Sequence, residues 1–143
     1  MDPISAAASI LGLIGAADTV VESLINFIRS IRGAPKLAQT VLLEVSDVRA
    51  ALTQLQRYVV SSTANSRAHG DLLMVDKVIV TLCSCVKTFS ELEEISESLR
   101  PTYKLQPGRM AQWVFKEDKI RRLLIRLQHS KLSLNLMIAT MTW

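Results

Sequence analysis

The side chains able to do chemistry are few and scattered. Cys83 and Cys85 are separated by one residue, a spacing that on a helix turns them to nearly opposite sides, so they cannot bridge each other. Only His69 and His129 stand beside them in the inventory, too few for a zinc set. Both thiols are therefore expected as reduced fillers in a cytosolic protein. Gly12 and Gly15 lack the following lysine and the preceding strand of a phosphate loop. Neither histidine sits in a nucleophile motif. Glu91, Glu93, Glu94 and Glu97 form an acidic cluster without further ligands, the pattern of a solvated face. These residues predict no catalytic, metal or cofactor site.

Three groups remain that could act without covalent chemistry. The segment from Ile4 to Ala17 carries no charge on any face, and its apolar members include Ile4, Ile10, Leu11, Leu13 and Ile14. A surface helix in a bundle should show a polar side. Gly12 and Gly15 each cost about 1 kcal/mol relative to alanine in a helix interior. Ala8, Gly12 and Ala16 recur at four-residue spacing, a small-residue stripe of the kind that lets helices approach closely in membranes. Two readings follow: a central helix buried on all sides, or a segment stored in the fold that can leave it and enter a bilayer. Asp18 and Glu22, one turn apart, would form acidic rings favouring cations if several copies associated. They would equally suit the helix dipole or an ion pair with a neighbour. Lys119, Arg122 and Arg126 share one face and could meet anionic headgroups, or pair with Glu91, Glu94 and Glu97. The aromatic interleaving and groove-reading motifs of nucleic-acid binders are missing.

The elements that must position these groups are marked by proline and glycine. Pro3, Pro35, Pro101 and Pro107, with Gly33, Gly70 and Gly108, fall at the ends of apolar periodic runs and predict helices over about 3–32, 35–62, 70–99 and 109–142. In the first, Ile10, Ile14, Ala17, Val21, Leu24, Ile28 and Ile31 form the expected seam, flanked by Leu13, Val20 and Phe27. The second offers Val41, Val45, Val48, Leu52, Leu55 and Val59. The third offers Leu72, Val75, Ile79, Leu82, Val86, Phe89 and Leu92. The fourth is less regular, with Ile120, Leu124, Leu127, Leu134, Ile138 and Met141 interrupted by Lys131. Asp2 before Pro3 is an N-cap pair, and Arg29, Arg32 and Gly33 suit a helix C-terminus. A short turn is expected around Trp113–Phe115, with the long last helix beginning near Glu117 or Asp118. Short links force antiparallel neighbours, so the fold class is all-α, an elongated antiparallel four-helix bundle.

Hydrophobic residues are 49% of the 143 and aromatics 5%, which favours helix-on-helix packing over sheets in one domain spanning 1–143. Charge is segregated: −1 over 1–33, +2 over 34–70, −3 over 71–100 and +6 over 101–143, summing to the net +4. Neighbouring helices are expected to pair these charges. No base precedes Arg29, which argues against a secretory or mitochondrial leader. Asp18 and Glu22 limit the uncharged apolar stretch to fewer than the ~20 residues that a spanning helix needs. The sequence stops at Trp143 inside an apolar run, so the domain is expected to be the N-terminal part of a longer protein.

The opening Met1–Leu13 (MDPISAAASILGL), the stretch Leu43–Leu52 (LEVSDVRAAL) and Trp113–Glu117 (WVFKE) followed by Ile120–Leu127 (IRRLLIRL) resemble the fungal HeLo-like N-terminal domains of NLR-like receptors. Those domains stand before NACHT or ankyrin-repeat regions, and one type is named after a protein of an azaphilone pigment cluster. The resemblance spans the chain. It implies a bundle related to HeLo domains and to the bundle of mixed-lineage kinase-like pseudokinases. It further implies an innate-immunity or programmed-cell-death effector that oligomerises and relocates from the cytoplasm to the plasma membrane. Its implied partners are further copies of itself, anionic membrane lipids and downstream domains of the parent chain. Carried over, Ile4–Ala17 becomes the membrane-active element. A non-lytic signalling or assembly module is the other implication.

Overall fold

The computed structural model describes the backbone of residues 3–65, 71–99 and 109–141, with side chains over 5–61, 77–99 and 111–140. Four helices account for nearly all of it: α1 (Pro3–Ser30), α2 (Lys36–Asn65), α3 (Asp71–Ser98) and α4 (Arg109–Met141). The lengths, 28, 30, 28 and 33 residues, correspond to rods of about 42–50 Å. The expected all-α four-helix bundle is what the chain forms.

Helix ends follow local chemistry. The Ser30 hydroxyl donates to the Phe27 carbonyl at 3.1 Å. Gly33 then takes a left-handed φ of 69°, the conformation that stops a helix at little cost only in glycine. Ala38 N–H donates to Pro35 O at 3.0 Å as α2 begins. Asp2, the expected cap of α1, and the prolines at 101 and 107 lie outside the described residues.

The helices form a ring in the order α1, α2, α4, α3, each touching its two neighbours. Helices consecutive in the chain therefore do not always neighbour in space, since α2 and α3 lie across one diagonal, as α1 and α4 do across the other. α3 and α4 run antiparallel: Glu91 meets Arg126, while Val80 lies beside Met137. The core gathers Val41, Val45, Val48, Leu52 and Leu55 from α2 as expected, with Val59 only partly buried.

Elsewhere the seams are rotated from expectation. In α1 the fully buried line is Ile10, Leu13, Ala17, Val20, Leu24 and Phe27, while Ile14, Val21, Ile28 and Ile31 only flank it. In α3, Val78 and Cys85 are inside and Val86 is exposed. In α4, Leu123 is buried and Leu124 flanks. No turn interrupts 113–115: α4 is continuous from Arg109, because Trp113 is drawn into the core and stacks on Phe27 with ring centroids 5.2 Å apart.

Candidate functional site

α1 sits at one corner of the ring, packed along α2 and α3 and meeting α4 across the core through the Phe27–Trp113 stack. That placement rules out burial on all sides. Only 28% of the apolar window within Ser5–Ser30 is buried, and Ala8, Leu11, Gly12 and Gly15 face solvent. Leu11 is 58% exposed. Of the residues the sequence singles out, Ile10 and Leu13 belong to the core and Ile14 packs at its edge. The side chain of Ile4 lies outside the described residues.

The small-residue stripe does not serve helix packing either. A Cβ built on Gly12 or Gly15 meets nothing within 4 Å. Ala16 packs against the core, whereas Ala8 and Gly12 open to solvent, so the stripe divides between two environments. The uncharged stretch ends at Asp18. The 26-residue segment Ser5–Ser30 is long and apolar enough, by length and composition, to cross a membrane with Asp18 and Glu22 inside it.

Those two acids differ in their surroundings. The Asp18 carboxylate accepts a hydrogen bond from Arg49 Nε of α2, the neighbour pairing weighed above. Glu22 is exposed on the same outer side and has no ion pair among the described residues. Both partners in the Asp18–Arg49 pair are about half exposed, so the contact holds α1 weakly.

The basic face of α4 is paired only in part. Arg126 donates to Glu91 of α3, as the charge segregation suggested. Lys119 is half-buried and Arg122 exposed, and neither makes an ion pair among the described residues. Arg121 instead bonds Glu117 at 2.8 Å on its own helix. Sequence reasoning missed Lys131. Its Nζ lies 2.9 and 3.1 Å from the two oxygens of Glu44 and 3.3 Å from Asp47, tying α4 to α2. The bond to Glu44 pushes the Lys131 pKa up, burial opposes this, and Asp47 adds to it. The only sequence signal was a charge inside an apolar line, which requires an acid opposite it without saying which.

Cys83 is exposed and Cys85 buried, as their spacing requires. Burial pushes the Cys85 thiol up, and the Ser130 hydroxyl beside it partly offsets this. Among the described residues no three His, Cys, Asp or Glu side chains gather as a metal site. A groove of about 440 Å³ opens between α3 and α4, lined by Lys77, Val80, Thr81, Ser133, Leu136, Met137 and Thr140. It lies away from α1.

Comparison of the chain with protein-family models, with curated proteins and with solved structures yields no match.

Proposed function

We propose that this bundle is an N-terminal effector domain of the HeLo-like kind, which self-associates on activation and targets or permeabilises membranes through α1. One observation carries the reading: a helix apolar enough, by length and composition, to span a bilayer lies at a corner of the bundle with only 28% of its apolar window buried. Detaching it would uncover Ile10, Leu13, Val20, Leu24 and Phe27. At about 1.5–3 kcal/mol each, that costs roughly 10 kcal/mol in water, comparable to the whole stability of a domain. In water α1 therefore stays seated. A hydrocarbon core returns the same term, so a membrane surface makes release affordable only there.

Depth of insertion follows from length. Residues 4–17 cover about 21 Å, less than the ~30 Å hydrocarbon core. Asp18 and Glu22 must then enter too, which is tolerable when associated copies turn them toward a water-filled lumen. Lys119 and Arg122, which make no ion pair among the described residues, are available to anionic headgroups.

Dye release from phosphatidylserine-containing vesicles tests this. Leu13 is core, so the informative variant is Leu11→Glu with Gly15→Glu, both on the solvent side. It should fold normally and lose release. Undiminished release would remove α1 from the mechanism. A second reading, a non-lytic oligomerisation module, is favoured by the apolar side chains exposed on α4, Phe115 foremost at 91% exposure.

A further inference from the structure

α4 carries large apolar side chains on its outer side as well as its inner one, the outer ones interspersed with the exposed Asp118 and Arg121. Facing away from the core, Val114, Ile125, Leu132 and Leu136 are each between 54% and 62% exposed. At about 100° per residue they fall within roughly 40° of arc, a stripe about 33 Å long. The outer side of a bundle helix is normally polar. Phe115 stands beside the N-terminal end of the stripe. It is in helical phase with Ser133, which lines the groove against α3, so it projects on the α3 side. At the other end of the stripe, on that same side, the groove is lined by Val80, Leu136 and Met137.

We propose that a second copy of this chain covers this face, α4 against α4, antiparallel about a two-fold axis at Ile125. This deepens the self-association in the reading above, and rests on it, by naming the surface. The spacing is the first reason. Val114 and Leu136 each lie three helical turns from Ile125, so reversing one copy sets Val114 on Leu136 and Ile125 on Ile125. Such an axis keeps the α3 side of both copies on one side of the interface. The exposed Phe115 of each copy then comes over the groove of the other, beside Val80 and Leu136. An isologous contact of this kind closes on itself as a dimer.

Charge is the second reason. A parallel pairing in register would set Asp118 on Asp118, Arg121 on Arg121 and Arg122 on Arg122. Reversal instead sets Arg121 and Arg122 beside His129 and Gln128 of the second copy. One kind of mismatch remains and occurs twice by symmetry, Asp118 of each copy opposite Leu132 of the other. The stripe offers about 330 Å² per copy at ~10 Å width, against the ~800 Å² per partner of a standard interface. The pair is therefore weak when the domain is alone in solution, and responds to local concentration.

Sedimentation velocity from about 10 μM to about 1 mM, without lipid, should show reversible dimerisation that Ile125→Asp weakens at least about tenfold with helical content unchanged. In a Cys83→Ser background, Ile125→Cys should cross-link to itself under mild oxidation. Val114→Cys should cross-link with Leu136→Cys and not with itself, since reversal holds the two Val114 positions about 33 Å apart. Self-cross-linking of Val114→Cys, or Ile125→Cys linking no faster than Gln54→Cys on exposed α2, overturns the proposal. So does an Ile125→Asp protein that associates normally, or one whose only loss is vesicle binding, which assigns the stripe to lipid. A monomer at every concentration that still empties vesicles overturns the pair and leaves the membrane reading. A cross-linked pair with intact vesicles does the reverse.

Discussion

Replacing Gly12 and Gly15 by alanine together should stabilise the fold. Both lie inside α1, and an added Cβ at either meets nothing within 4 Å, so no steric cost opposes the gain in helix propensity. Each substitution is worth about 0.8–1 kcal/mol. Their sum is roughly 1.6–2 kcal/mol. At about 2.1 cal/mol/K per residue, 143 residues give an unfolding entropy near 300 cal/mol/K, so Tm should rise by roughly 5–7 °C. Thermal melting followed by circular dichroism reads this directly. If the glycines instead admitted a neighbouring helix, added methyls would wedge that contact apart and Tm would fall. A fall, or no change, would refute the placement of this stripe at the surface.

Other perturbations probe the rest of the bundle. Trp113→Ala removes a fully buried ring stacked on Phe27 and should cost about 3–5 kcal/mol in denaturant unfolding. Lys131→Met strands Glu44 without its counter-charge and should destabilise by about 1–3 kcal/mol. Because pairing raises the Lys131 pKa, its contribution is fully present below the ordinary lysine value of about 10.4 and is lost as pH rises through the folded value. The stability gap between wild type and Lys131→Met should accordingly close in that alkaline window, measured by urea unfolding. Thiol titration of the native protein should find Cys83 fast and Cys85 slow, the latter reacting only on unfolding, since it is buried with its thiol held protonated.

What the sequence disclosed depended on contrast between faces. In α2, Val45, Val48, Leu52 and Leu55 stand among mostly polar or small neighbours, and the line they form with Val41 is the one that packs. In α1, two apolar lines lie side by side. Ile14, Val21 and Ile28 sit one residue after Leu13, Val20 and Phe27, and periodicity alone has no means of choosing between them. α4 is harder still, because Val114, Ile125 and Leu132 put apolar side chains on the solvent face and blur the inward line. Phe115 beside Trp113 suggested a turn, when one ring is inside and the other outside a continuous helix. The Lys131 clamp was invisible for a different reason. Its acids are on α2, and only the ring order makes α2 a neighbour of α4.

That ring order also decides whether pairing through α4 and release of α1 interfere. α1 contacts α2 and α3, and lies diagonally across from α4, which it meets through Phe27 and Trp113 in the core. In a pair held at Ile125, both α1 helices are on the far sides, away from the shared face. Locking the pair should then leave α1 as free to depart as in the monomer. The Ile125→Cys dimer, oxidised before mixing with phosphatidylserine vesicles, should release dye at a rate per chain no lower than the reduced protein. Raised local concentration near the bilayer gives reason to expect more. Release that stops on oxidation and returns on reduction would show that α1 cannot leave unless α4 is free to move, with the stacked Phe27–Trp113 pair the point at which the two helices are joined.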